Sequence, residues 1–195
     1  MLKLEDGFEN AVSGVSTHDL ESENRRLRGR VAELERLATT DTLTPLFNRR
    51  YFMNELDRWC WRAQRYGGSY GLLFLDIDQL KLINDTHGHA AGDAVICGVA
   101  QAMASTTRKA DIVARVGGDE FAILLDHVSE DDAQQRIGAL VAAVANDPVR
   151  VGQKDLSIRL SWGLTMIRAD DSVDVAMGRA DAAMYRARSA QRSDR

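Results

Sequence analysis

Two acidic stretches of this chain carry residue types able to hold a hard cation against phosphate oxygens. The first is Arg115-Val116-Gly117-Gly118-Asp119-Glu120-Phe121, followed by the apolar run Ala122-Ile123-Leu124-Leu125. The flanking Ile112-Val113 and Phe121 to Leu125 segments are β-prone, so Gly117-Gly118 reads as a hairpin turn in which glycine supplies positive φ. The missing side chains also let a ligand approach the backbone, and Asp119 and Glu120 start at the tip of the turn. The second stretch is Gly71-Leu72-Leu73-Phe74-Leu75-Asp76-Ile77-Asp78, a buried apolar run ending in two carboxylates. Asp76 and Asp78 lie two apart, hence on one strand face. Carboxylate and carbonyl oxygens are the ligands that Mg²⁺ selects, and a nucleoside triphosphate normally supplies the rest of its octahedron. Asp76 with Asp119 or Glu120 would form such a site. Gly-Gly-Asp-Glu alone is equally the composition of a solvated hairpin; the second acidic strand is what shifts the balance.

The elements that position these acids follow from periodicity. Apolar positions Phe52, Leu56, Trp59, Cys60 and Ala63 predict a helix from Asn48 to Tyr66, ended by Gly67-Gly68. A strand runs from about Tyr70 to Ile77, a short helix covers Gln79 to Asn84, and a longer one spans Ala91 to Thr106. After the hairpin, Ser129 and Glu130 open a helix to about Asn146, which Pro148 stops. Leu156 to Met166 alternates as a strand, and Asp174 to Arg188 closes the domain as a helix. The order βααββαβα predicts an α/β fold, a mainly antiparallel sheet flanked by helices. Trp162 and Met184 are expected in the core.

Upstream, Leu20, Asn24, Leu27, Val31, Leu34 and Ala38 alternate in steps of four and three. Leucine at d and one asparagine at a favour a parallel two-stranded coiled coil, with Glu23 facing the partner's Arg28 and Arg30 facing Glu35. An amphipathic helix packed on its own domain is the competing reading. The organisation expected is a flexible segment 1–15, a dimerising helix 16–40 and one domain 41–195.

The 195 residues, 45% apolar, suffice for one sizeable core. A net charge of −4 weakens a nucleic-acid reading. Cys60 and Cys97 lack paired spacing, so both read as buried thiols in a reducing compartment. No stretch has the length and purity of a membrane span, and the start of the chain lacks the apolar core of a signal peptide. These features predict a cytoplasmic protein without membrane insertion. His87 and His89 lack the further His or Cys ligands that zinc needs.

Several separated motifs together resemble the GGDEF family of diguanylate cyclases. Asp41-Thr42-Leu43-Thr44-Pro45-Leu46-Phe47-Asn48-Arg49-Arg50 is similar to its D-x-L-T-x-L-x-N-R-R entry segment, and Asp76-Ile77-Asp78 to its first metal strand. Asn84-Asp85-Thr86-His87-Gly88-His89-Ala90-Ala91-Gly92-Asp93 is similar to N-D-x-x-G-H-x-x-G-D, and Arg108-Lys109-Ala110-Asp111 to the R-x-x-D inhibitory motif. Gly117 to Phe121 is similar to the signature itself, and the resemblance spans roughly Thr40 to Arg192.

The resemblance implies a ferredoxin-like palm that condenses two GTP into cyclic di-GMP, with two pyrophosphates released. It implies a homodimer, because each domain binds one GTP, and Mg²⁺ as cofactor, with Mn²⁺ an alternative. Metal ligands would be Asp76, the Ile77 carbonyl, Asp119 and Glu120, one of the last two also assisting deprotonation. Asn84 and Asp93 would read the guanine edge; members that accept adenine carry serine at the position of Asp93. The same two residues are also common turn and helix-cap types. Gly117, Gly118, Lys81, His89, Arg188 and Arg192 would complete the substrate site, and Arg108 with Asp111 a product site for feedback inhibition. The final signature Y-x-A-K-x-x-G-R-N reads here Tyr185-Arg186-Ala187-Arg188-Ser189-Ala190-Gln191-Arg192-Ser193, so Arg188 stands for lysine and Gln191 and Ser193 for glycine and asparagine. Leu80 stands where an aromatic is common. Two other classes fit parts of the pattern: a non-catalytic module that senses cyclic di-GMP or GTP, and an adaptor whose coil recruits partners.

Overall fold

A computed structural model describes residues 16–193, with side chains through 189. Segment 1–15 and the Arg192 side chain lie outside the described parts. The described residues fall into two compact units that divide between Ala38 and Thr39.

In the first unit, helix α1 (Thr17–Thr39) buries no residue, and the seam positions Leu20, Leu27, Val31 and Leu34 are all exposed. Of the predicted charge partners, Glu23 pairs within the helix with Arg26, and Glu33 pairs likewise with Arg36, each three residues on. Such spacing places neighbours on one helix surface.

The second unit is built around β2 (Gly71–Ile77), buried at all seven positions because it lies between β4 (Glu120–Leu125) and β7 (Leu160–Met166). A five-stranded sheet results, in the order β1-β3-β4-β2-β7, with β1 (Phe47–Asn48) and β3 (Ile112–Arg115) at one side. Three pairings are antiparallel and only β1 runs parallel to β3. Side chains alternate across the sheet, and the two faces take different helices. Leu73, Leu75, Ile77, Phe121 and Ile123 share one core with α4 (His89–Thr106) and α5 (Glu130–Asn146). Leu72, Phe74, Ala122 and Leu124 share the other with α2 (Arg49–Tyr66) and α6 (Val173–Ser193).

Local signals set most element ends. Asn48 caps α2 by accepting from the Tyr51 N–H, and Gly67 closes it at φ 71°. Ser129 caps α5 by accepting from the Asp132 N–H. Helix α3 (Leu80–His87) runs further than predicted, and α4 starts at His89, since Gly88 at φ 86° turns the chain between them. The strand predicted from Leu156 to Met166 is two: β6 (Lys154–Leu156) pairs with β5 (Val149–Val151) as a separate hairpin, and β7 starts at Leu160. The interruption turns Ile158 into the core. Met184 is buried as expected, whereas Trp162 is half-buried against the first cluster. Cys60 is buried and Cys97 half-buried, both free.

Helix α6 crosses β7 at Gly163, where an added Cβ would collide with the Ala180 carbonyl and the Met184 N–H. We expect Gly163→Ala to destabilise the domain by about 1–3 kcal/mol through overpacking; urea unfolding of the two proteins measures it, and an unchanged midpoint would contradict this close contact.

Candidate functional site

The ends of β2, β4 and β7 bring the predicted acids to one edge of the sheet. Asp76 is the register partner of both Glu120 and Ser161, so these side chains leave the same face, the one covered by α6. Asp76 is buried, and Asp78, just past the strand, accepts a 2.6 Å hydrogen bond from the buried Ser161 hydroxyl. The Ile77 N–H donates to the Asp119 carbonyl at 3.0 Å, tying the turn to the end of β2.

Arg188 reaches this edge from α6. Its Nη1 stands 3.0 Å from Asp76 Oδ1 and its Nε 3.8 Å from Asp78 Oδ1. The first approach is a charge contact without hydrogen-bond alignment, so the buried Asp76 Oδ1 makes no hydrogen bond. Burial pushes the Asp76 carboxyl up to about 6; Arg188 opposes this, while Asp119, Asp78 and Glu120 reinforce it. An unbonded buried carboxylate oxygen among like charges is chemically suited to a hard dication. Among the described residues, however, no three carboxylate, imidazole or thiol groups already converge on one point. Asp76, Glu120 and Asp119 are brought to the same edge, but their carboxylates are not gathered into a preformed cage.

The turn departs from its sequence-based rationale. Neither Gly117 nor Gly118 has positive φ. The Glu120 side chain folds against Gly117 and occupies the space a Cβ would take, and Gly118 faces open space. Both Val116 and Gly117 N–H donate to the Glu120 carbonyl, at 2.9 and 3.2 Å. Residues that sequence reasoning passed over hold this loop. Arg115 donates to the Gly118 carbonyl at 2.8 Å from Nη2 and reaches Asp41 at 3.3 Å, and Arg49 donates to the Val116 carbonyl at 2.9 Å. Asp41 in turn accepts from the Thr44 N–H and hydroxyl, both at 2.9 Å. Burial raises the Asp41 carboxyl's pKa, but Thr44 and Arg115 outweigh it and hold it below its usual range. Asp41, Arg49 and Arg115 all lay inside the quoted motifs, which was the available signal.

Asn84 on α3 and Asp93 on α4 come from adjoining helices. Neither caps a helix: Gly88 starts α4 without a side-chain cap, and Asp93 is exposed within that helix. Asn84 Oδ1 is buried without a hydrogen bond, pressed on Gly92 where any Cβ would collide. His89 and Lys81 are exposed at the starts of α4 and α3. Gln79, two residues before Lys81, adopts φ 60°, a left-handed backbone uncommon outside glycine.

Arg108 and Asp111 separate in character. Arg108 is exposed, while the Asp111 side chain is 1% exposed and ion-paired with Arg136. Its carboxylate also accepts from the Arg108 and Asp126 backbone N–H groups, at 3.0 and 3.2 Å. Arg136 Nη1 is buried without a partner.

Residues 38–194 match the family profile described as diguanylate cyclase, GGDEF domain. The diguanylate cyclase DgcP of Pseudomonas aeruginosa is 36% identical over 175 residues, 90% of this chain and 26% of that protein. The chain spans between 23% and 41% of the length of curated relatives such as these. The coiled coil and GGDEF domain of DgcB from Caulobacter crescentus, solved in complex with c-di-GMP, superposes with a TM-score of 0.82 at 33% identity, covering 89% of this chain and 92% of that one. Diguanylate cyclase SiaD from Pseudomonas aeruginosa, solved with its activator SiaC, gives 0.79 at 36% identity, covering 87% and 65%.

The raised Asp76 value carries a pH signature. An unfolded aspartate titrates near about 3.9, so between there and about 6 the native protein binds a proton that the unfolded chain has lost. Asp76 therefore lowers stability progressively as pH rises through that window. In metal-free buffer, Asp76→Asn should match the parent near the bottom of the window and exceed its melting temperature increasingly up to neutrality. A constant difference across pH 4–7 would refute the assignment.

Proposed function

The chain belongs to the GGDEF-domain family of diguanylate cyclases, and from that premise we propose that it condenses two GTP into cyclic di-GMP. The observation that carries this reading is Asp76 standing register-opposite Glu120, beside a turn in which Gly118 faces open space. In each half of the reaction a 3′-hydroxyl loses its proton and its oxygen bonds to the α-phosphorus of the other GTP. The bond to the β-phosphate oxygen breaks, and pyrophosphate leaves. Two such steps close the ring and release two pyrophosphates.

Asp76, the Ile77 carbonyl, Asp119 and Glu120 would hold Mg²⁺ or Mn²⁺, which when bound neutralises the developing phosphoryl charge. Glu120 also accepts the hydroxyl proton. Asn84 and Asp93 orient guanine: the amide oxygen and the carboxylate accept from N1–H and N2–H₂, and the free Asn84 Oδ1 supports that role. Lys81, His89, Arg188 and Arg192 serve the phosphates, with backbone groups after Asp78.

One GTP per domain requires two domains face to face. The exposed α1 seam, Leu20 to Leu34, supports a parallel coiled-coil homodimer, as does the likeness to a cyclase solved with its coiled coil. Feedback inhibition would use Arg108 as the first contact for cyclic di-GMP, with Asp111 joining once Arg136 shares its carboxylate. No helix among the described residues is long and apolar enough to cross a membrane; the reading places the enzyme in the cytoplasm, where GTP is, without nucleic acid as partner.

The test is incubation of nucleotide-stripped protein with GTP and Mg²⁺, products resolved by chromatography with mass detection. Cyclic di-GMP with pyrophosphate is expected. Absence of turnover by a dimeric, product-free protein would favour the binding-module reading. Glu120→Gln should lower kcat by about 10²-fold or more. Leu27→Asp should convert a dimer in sedimentation velocity to a monomer and abolish turnover; an active monomer would refute the face-to-face requirement.

A further inference from the structure

Arg188 lies where the acids need a cation. The stripe Ala176, Ala180, Met184, Arg188 runs down α6 in steps of four, and its first three members are buried on the sheet face. The fourth is therefore carried over the acidic edge, where it spans Asp76 and Asp78 at 3.0 and 3.8 Å. Its side chain is 36% exposed against 10% for Asp76, so the acid is fixed while the base has room to leave. The contact lacks hydrogen-bond alignment, and Asp76 Oδ1 keeps an unused acceptor.

Resting on the cyclase reading, we propose that Arg188 is a resident counter-cation: in the nucleotide-free protein it neutralises Asp76 and Asp78 in place of a divalent ion, and it turns to the triphosphate when nucleotide binds. One guanidinium cannot serve both anions. Arg188 must leave Asp76 for that carboxylate to accept a dication, and a triphosphate gives Arg188 another anion to bind. Divalent cation and nucleotide are thereby coupled, each weakening the competitor of the other. The resident arginine in place of lysine strengthens the device, because a planar fork can address two carboxylates where an ammonium is a point charge.

The experiment is Mn²⁺ titration of the whole chain, followed by the electron paramagnetic resonance of free Mn²⁺, with and without α,β-methylene-GTP. Without nucleotide, Arg188→Gln should bind Mn²⁺ at least about fivefold more tightly than the parent, with Arg188→Lys between them. The tightening produced by the nucleotide analogue should shrink in Arg188→Gln. Arg62→Gln, the same charge change on the exposed face of α2, should titrate like the parent. Equal or weaker Mn²⁺ binding by Arg188→Gln, or an equal gain in Arg62→Gln, overturns the proposal. Melting curves verify folding, and Arg188→Lys decides by the same direction if the glutamine variant is unfolded. Asp76→Asn separates the two readings: if even the parent with nucleotide shows no Mn²⁺ site that this change removes, the metal site itself is wrong and the inference falls with it. If that site is present and indifferent to Arg188, only the inference fails.

Discussion

The site depends on negative charge gathered at the end of a sheet whose interior is apolar. β2 is buried along its whole length, and its last alternating positions on the α6 face change from Leu72 and Phe74 to Asp76. Taking a carboxylate out of water is costly unless a cation answers it. The raised Asp76 titration is the signature of that cost, with Asp78, Asp119 and Glu120 close enough to add to it. Neutralisation of this edge links local structure to the proposed function, because the electrostatic demand that Arg188 meets in part is one the proposed divalent cation would also answer.

Two sets of contacts hold the edge in place. Against β7, α6 settles on Gly163, where only a missing side chain allows its backbone so close, and this sets where Arg188 falls. On the other side, Arg115 and Arg49 hold the carbonyls of Gly118 and Val116, and Asp41 ties Arg115 to the segment that follows α1. The turn is thus braced from outside, so its conformation does not rest on unusual glycine dihedrals.

Much of this was legible in the chain. Continuous apolar runs marked β2 and β4 as buried strands, whose side chains must then divide between two faces, helical spacing marked α2, and Ser129 and Pro148 bounded α5. The residue types of Asp76, Asp119 and Glu120 determined the chemistry available, since no other side chains supply hard anionic oxygen. Short elements escaped because two or three residues carry no period: β1 exists only through its pairing with β3, and β5 and β6 through each other.

Tertiary structure decided the partners. Asp111, a plausible surface ligand by its motif, became a buried acceptor because α5 carries Arg136 against it. Gly117, expected for its backbone freedom, instead gives room to the Glu120 side chain folded against it. Arg188, expected at phosphate, came to rest on Asp76 and Asp78. Local sequence determines which groups a segment offers and which face they leave from; which opposite charge or backbone they meet depends on the docking of distant elements, and no local periodicity encodes that docking.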